Sequence, residues 1–585
     1  MPAHMEPSPK VPAAPLSPRT VRLVVVVCLG AFAALCAHGL RWDTPTVDEF
    51  AHLPAGYYYL RTGNFALFAQ NPPLVKMVMA LPLLAVRPDL DVHARIENSG
   101  WYPWIFGTDF MERNRAAYPL IFLLGRSMIV LLGLLLGGLV FVWARRLYGD
   151  RGGLLALVLY AFSPTLVAHA HLATIDVGHA LAMLLALFCF ARYLEKPGWG
   201  WLLLAGVTLG TAQLTKFTAL LLYPALALLA LVALARGEEF PLLGARTRSG
   251  RRGRLAWSLA ALAVVFVVSG VVVDAGYLFQ GVGRRLDWFH FQSHLLGGVA
   301  AKLPGALRVP LPTPYLYGLD GLQYINDRGE FPGYLFGHWS SHGWASYYLV
   351  AILYKTPLPF LALFALAALA RRRVAASGER ALWLSMALLF LAFTFLSRVD
   401  YGIRYVLPLL PLACIYIGRL AVGFEMRPRL VRRGVVALVA LYPLSVLLAT
   451  PDTISYFNLL ARGRGDRVLL DSNYDWGQGL KRLQQAMVRR GLDSIPLAYF
   501  GHVDPAIYGV DARPLPPRPF TGYAAVSANF VHGYPYATYA DGKIVPVPEN
   551  AYRFLENLPI EEDLGGGIFL YRLPPPGGGS APASP

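Results

Sequence analysis

Asp48-Glu49-Phe50-Ala51-His52 places two carboxylates and an imidazole within five residues, and Asp176 supplies a third acid further along. Four cations stand apart from one another at Lys76, Arg126, Lys216 and Arg404. A carboxylate within about 2.6–3.2 Å of a hydroxyl can take its proton as the oxygen attacks a carbon centre. A phosphate that leaves already ionised needs no strong acid; cations aimed at its oxygens lower the barrier instead. Arginine offers a bidentate fork for that purpose and lysine a point charge. Two acids and several separated cations around one cavity therefore suit a reaction that needs a base and releases a phosphate. A structural reading stands beside this one: Asp48-Glu49 can cap a helix beginning at Phe50, and Asp176 after Thr174 can do the same.

The segments that must hold these residues are overwhelmingly apolar. Of 585 residues 56% are hydrophobic and 15% charged, with mean hydropathy +0.46, well outside the soluble range of about 25% charged. A bilayer core about 30 Å thick needs roughly 20 apolar helical residues. About eleven candidate spans follow, at 21–40, 118–143, 153–168, 174–192, 200–215, 217–235, 255–275, 346–369, 381–397, 404–421 and 434–450. Arg126 lies inside the second; Asp176, Lys216 and Arg404 lie at span ends, and Asp274 closes the seventh. Ionisable groups at such depth are costly and mark function.

The net charge is +17, but residues from Pro451 onward carry twelve basic and thirteen acidic side chains. The excess belongs to the apolar part, which argues for membrane lipid contact and against nucleic acid. Basic connections at Lys10–Arg22, Arg145–Arg151, Arg192–Lys196, Arg246–Arg254, Arg371–Arg373 and Arg427–Arg433 alternate along the chain. All fall on one side if the N-terminus is cytoplasmic. The expected protein is an α-helical multi-pass protein of the inner (plasma) membrane. It has a disordered N-terminus at 1–20, a membrane domain at 21–450, outer loops at 41–117 and 276–345, an extracytoplasmic α/β domain at 451–573 and a disordered tail at 574–585. The tail's alternation of Leu480–Arg490, 496–501, 523–531, a short helix near Tyr552–Leu558 and 567–573 carries the α/β expectation. The four cysteines all lie inside spans, so no disulfide is expected in the outer segments.

His169, His171, His338 and His342 could belong to a metal site or merely flank spans; a divalent metal is possible and no cofactor is certain. His338-Trp339 could touch substrate. Trp101, Trp104, Trp339, Trp344 and Tyr57–Tyr59 fit sugar stacking or an interfacial belt. Asp471-Ser472-Asn473-Tyr474-Asp475-Trp476-Gly477-Gln478 reads as a turn whose side chains satisfy backbone donors, with Asp475-Trp476 a weaker acceptor-binding candidate. No P-loop, GxGxxG fold fingerprint or CxxC is present. A transporter or lipid flippase is the principal alternative, but it would place charges near the midplane and show repeat symmetry.

Taken together, Asp48-Glu49, Asn71-Pro72-Pro73-Leu74-Val75-Lys76, Arg126 and Leu172-Ala173-Thr174-Ile175-Asp176 resemble the GT-C glycosyltransferases. The resemblance is to the protein O-mannosyltransferase branch (glycosyltransferase family 39) and its bacterial relatives, and spans roughly residues 20–450. It implies inverting transfer of a sugar from a polyprenyl-phosphate carrier to a protein, lipid or glycan acceptor on the outer face. By that resemblance Asp48 is the catalytic base, Glu49 its neighbour and Asp176 a second acid. Arg126 steadies the carrier phosphate or organises the carboxylates. Lys76, Lys216, Arg404, His52 and His338 are the substrate-binding candidates. Asn71 stands where the mannosyltransferases usually have His and the lipid A enzyme has Lys.

Overall fold

Each of the eleven apolar stretches folds as helix over most of its described length in the computed structural model. The structure describes residues 16–96, 100–237, 251–329, 332–370, 377–395, 400–540 and 542–574. Residues 1–15 and 575–585 of the two expected disordered ends lie outside the described residues, as do 246–250 and Arg371–Arg373 of the basic connections. Among the described residues seven helices are long and apolar enough to cross a membrane, and an eighth span arises if Tyr347–Lys355 and Leu358–Leu369, bent by 112°, count as one. The bend has a local cause. Pro357 lacks an N–H and forces the preceding Thr356 into extended backbone (φ −101°, ψ 132°). The 44-residue Tyr118–Ala161 helix is likewise two helices meeting at Gly149, whose φ of 75° a side chain would resist.

Three of the six basic connections expected on one side, 145–151, 192–196 and 427–433, meet at one end of the bundle. Arg146 Nη2 reaches Glu195 Oε2 at 2.8 Å, Arg151 reaches Glu425 at 3.2 Å, and Arg432 reaches the same Glu425 at 2.9 Å. The loops at 41–117 and 276–345 and the C-terminal domain gather at the opposite end. Lys481 Nζ donates to the Arg41 carbonyl at 2.8 Å, Trp339 Nε1 to the His532 carbonyl at 2.7 Å, and Tyr539 to Glu112 at 2.9 Å.

The C-terminal domain is built on a five-stranded sheet with strand order Ala512–Pro514, Ile495–Ala498, Gly522–Ser527, Ile568–Leu573, Glu562–Asp563. The first three strands run parallel and the last two pair antiparallel. The Leu480–Arg490 helix leads into the sheet, and a separate hairpin pairs Tyr536–Ala540 with Lys543–Val547. The helix expected near Tyr552–Leu558 is only a 3-10 turn at Arg553–Leu555. Lys355, fully buried, ties this domain to the bundle by donating to the carbonyls of Ile454 (2.7 Å) and Asn473 (2.6 Å).

Candidate functional site

The helix carrying Asp48 starts at Val47, three residues earlier than Phe50, because Thr46 and Glu49 form a capping box. Glu49 Oε2 accepts from the Thr46 N–H at 2.8 Å and from its hydroxyl at 3.0 Å. Consecutive helical side chains diverge by roughly 100°, so the two acids face different ways. Glu49 points into the bundle and meets Arg126 as a fork, Nε–Oε1 at 2.6 Å and Nη2–Oε2 at 2.7 Å. Oε1 also accepts from the Ala173 N–H at 2.6 Å, while Arg126 donates to the carbonyls of Asp43 (2.7 Å) and Thr44 (2.9 Å). Every group in this cluster is spoken for. It joins three chain segments.

Asp48 faces the other way, into a cavity of about 140 Å³ that Asp176, Lys216, Arg404, His52, Asn71 and Asp471 also line. Its side chain keeps 22% exposure, where Glu49 has none. Asp48 is ion-paired with Arg404. Asp176, at the first position of its helix, accepts from Lys216 Nζ at 2.8 Å through Oδ1, and its buried Oδ2 has no partner. Lys216 reaches the cavity because it sits in extended backbone (φ −162°, ψ 142°) between Trp199–Gln213 and the turn at Phe217. Its ammonium also lies 3.8 Å from the centroid of the Tyr405 ring. The Arg404 guanidinium stacks over Trp476 at 4.4 Å. His52 lies flat on Phe68 with centroids 4.9 Å apart, and burial pushes its pKa down to about 3, so the imidazole is neutral.

Four of the predicted site residues lie elsewhere. Glu49 and Arg126 form the cluster behind Asp48. Lys76 is caged by the carbonyls of Phe68 (2.8 Å) and Asn71 (2.7 Å) and the Tyr59 hydroxyl (3.1 Å), so it holds the loop that presents Asn71. His338 is exposed on a two-stranded hairpin, across from Leu335. Asp274 stays outside the cavity lining, and one of its carboxylate oxygens is buried without a partner. His171 bridges the Val167 carbonyl and Asp43, each at 2.8 Å, and His169 packs edge-on against Trp476. Among the described residues no three His, Cys, Asp or Glu side chains converge as a metal ion would require.

The stretch Asp471–Gln478 does more than make a turn. Its Trp476 and Gln478 carbonyls accept from the N–H groups of Val47 and Thr44, both at 3.0 Å, fixing the start of the Asp48 helix. Asn473 Oδ1 accepts from the Ile403 N–H at 2.9 Å, and Ser472 Oγ donates to the Tyr401 carbonyl at 2.9 Å, fixing the turn that carries Arg404. One segment of the C-terminal domain thus sets both members of the Asp48–Arg404 pair. Asp471 itself holds φ 53°, its N–H bonded to Asn529 Oδ1 at 2.9 Å, and burial pushes its carboxyl up to about 6. The clue in the sequence was the density of Asp, Asn and Gln in eight residues.

A family model described as dolichyl-phosphate-mannose-protein mannosyltransferase matches residues 124–272, which include Arg126, Asp176 and Lys216. The match bears out the expected resemblance to the protein O-mannosyltransferases over this stretch; Asp48-Glu49 and Asn71–Lys76 lie outside it. No curated protein matches the sequence. Among solved structures, the chain is similar to ArnT from Cupriavidus metallidurans bound to undecaprenyl phosphate, at 16% identity over 91% of this chain and 98% of that one, TM-score 0.45. It is also similar to the Pmt1-Pmt2 complex of S. cerevisiae bound to the sugar donor (20% identity, 44% of this chain and 33% of that one, TM-score 0.33). A third similarity is to the oligosaccharyltransferase AglB from Archaeoglobus fulgidus in complex with an inhibitory peptide and a dolichol-phosphate (12%, 93% and 75%, TM-score 0.47).

Proposed function

We propose that this protein is an inverting glycosyltransferase that moves a hexose or pentose from a polyprenyl-phosphate carrier to an acceptor hydroxyl. The observation that carries the reading is the cavity in which Asp48 meets Arg404 beside the Asp176–Lys216 pair. Asp48 takes the proton of the acceptor hydroxyl as its oxygen bonds to the anomeric carbon. The bond from that carbon to the carrier phosphate breaks on the opposite face, and the phosphate leaves with the electron pair. Arg404 and Lys216 stabilise the charge gathering on its oxygens. A phosphate drawing on Arg404 also loosens that guanidinium from Asp48, leaving the carboxylate free to act as base. Asp176 orients Lys216.

A second feature supports a lipid-borne donor. The turn Ile403–Val406 presents Arg404 and Tyr405 to the polar cavity, and Ile403 and Val406 to an apolar cavity of about 400 Å³ lined by Phe360, Phe364 and Trp383. A polyprenyl chain in the second cavity brings its phosphate to the first. The family match over 124–272 supports the same chemistry. The reaction takes place at the outer face of the inner membrane, with the N-terminus cytoplasmic and the C-terminal domain extracytoplasmic. The test is turnover by purified protein in phospholipid nanodiscs with labelled undecaprenyl-phosphate hexoses and pentoses and a panel of saccharide, lipid and peptide acceptors. Release of carrier phosphate is expected with at least one of them; none with any sugar would overturn the reading. A reporter fused after Pro451 must read as extracytoplasmic.

A further inference from the structure

The charged floor of the cavity accounts for a donor phosphate and a base, but not for its opposite wall. There the C-terminal domain and the loop at 41–117 contribute Trp101, Phe500, Tyr534 and Tyr536. The rings form one connected surface: Tyr534 and Tyr536 stack at 5.8 Å and 7°, Phe500 meets Tyr536 at 4.7 Å, and Trp101 meets Tyr536 at 5.6 Å. Their orientation is fixed from behind. Trp339 lies flat on Tyr534 (4.5 Å, 8°) and His502 flat on Tyr536 (5.6 Å, 1°). Trp101, 41% exposed, marks the open side of this surface. Asp471 lines the same cavity, close enough for the Arg404 charge to act on it but without an ion pair of its own among the described residues.

Resting on the glycosyltransferase reading, we infer that this wall is the acceptor subsite and that the acceptor is a saccharide. The rings of Tyr536 and Tyr534 take the C–H face of a pyranose or furanose, and the Asp471 carboxylate accepts hydrogen bonds from its hydroxyls. Held so, the nucleophilic hydroxyl points at Asp48 on the floor. It bonds to the donor's anomeric carbon as the carrier phosphate departs, and its proton passes to Asp48. Sugars present apolar C–H faces and rows of hydroxyl donors, which is what fixed aromatic planes and an acceptor-only carboxylate match. A peptide acceptor fits less well. The Tyr536–Ala540 strand is paired along one edge with Lys543–Val547 and bridged at Thr538 by Gly501 on the other, which shortens the edge open to strand addition. The saccharide can be a free glycan or the headgroup of a glycolipid, since the ring-and-carboxylate chemistry is common to both.

The experiment uses the full chain in nanodiscs with a fixed panel: mannotriose, cellotetraose, a saccharide-headed lipid and a Ser/Thr-rich peptide. Quenching of tryptophan fluorescence reads binding without turnover, and transfer from the labelled donors reads the reaction. Binding or transfer with a saccharide and neither with the peptide is expected; the soluble and lipid arms separate the two sources. Tyr536→Ala and Asp471→Asn should each raise the acceptor KM at least tenfold while donor KM moves less than threefold, and Tyr536→Phe, which keeps the ring, should restore acceptor KM. Binding lost in Tyr536→Ala but kept in Tyr536→Phe upholds the subsite even if no donor in the set is turned over. Transfer to the peptide alone, or saccharide binding indifferent to both substitutions, overturns the subsite while leaving the transferase reading intact.

Discussion

The Asp48 carboxylate and the Arg404 guanidinium are ion-paired across 356 residues of sequence, joining the first turn of one helix to a short turn far along the chain. On the proposed reading Asp48 is the acid that receives the proton while Arg404 is drawn to the carrier phosphate; both line the one cavity. Asp48→Asn keeps the shape and removes the basicity. Turnover should fall by about 10²- to 10⁴-fold, the usual worth of a general base, with the size-exclusion profile and melting temperature retained. Carrier-phosphate release at the wild-type rate would remove Asp48 from the role.

Glu49 and Arg126 are predicted to act on stability. Glu49 has no exposure and Arg126 has 4%, and their fork is completed by the backbone groups of Asp43, Thr44, Thr46 and Ala173. Removing one partner of such a pair strands the other charge, at a cost of about 3–5 kcal/mol. Glu49→Gln should therefore lower the melting temperature in detergent and the yield of folded protein. Arg126→Met should do the same, and the double substitution should cost less than the two singles added together. A Glu49→Gln protein that melts with the wild type would sink this assignment.

Asp475 gives a pH signature. It is completely buried, Oδ1 accepts from the Gly477 N–H at 3.1 Å, Oδ2 has no partner, and burial raises its pKa from 3.8 to about 8. Because the folded value lies above the unfolded one, the contribution is fully present below pH about 4. It is lost as pH rises toward about 8, with a slope of at most about 1.4 kcal/mol per pH unit. Thermal melts of wild type and Asp475→Asn across pH 4–9 should diverge in that window, the variant gaining relative stability as pH rises. Parallel curves would mean that Asp475 is ionised in the fold.

How far the sequence reaches can be seen residue by residue. Asp48, Asp176, Lys216 and Arg404 were legible because a charge bordering an apolar span is conspicuous, and all four line one cavity. The helical stretches were legible for the complementary reason, although Gly149 and Pro357 decide which of them run on or bend. Spacing alone did not tell which of the two adjacent acids faces the cavity, since that depends on the Thr46 cap starting the helix at Val47; only the family resemblance singled out Asp48. Lys76 misled because its cage of carbonyls forms only when the Phe68–Asn71 loop folds back over it. Asp471 entered the site through pairing of residues 473–478 with 403, 70 residues away, and with 44–47, hundreds of residues away, contacts that no local pattern encodes.

The Asp176–Lys216 pair yields the last prediction, because its two members should fail differently. Lys216 Nζ meets Asp176 Oδ1 at 2.8 Å while lying against Tyr405, which leaves the ammonium directed at the cavity. If the ammonium meets the donor phosphate, Lys216→Met removes that contact and also strands a buried carboxylate. Asp176→Asn removes only the group that orients the ammonium and keeps its positive charge. Donor KM should then rise at least tenfold in Lys216→Met. In Asp176→Asn the main loss should fall on kcat, because a mobile ammonium still attracts the phosphate but no longer meets the charge that develops as the bond breaks. Steady-state kinetics with the donor varied at fixed acceptor separates the two. Equal losses in KM and kcat for both variants would mean that the pair acts as a structural unit and that Arg404 alone carries the phosphate.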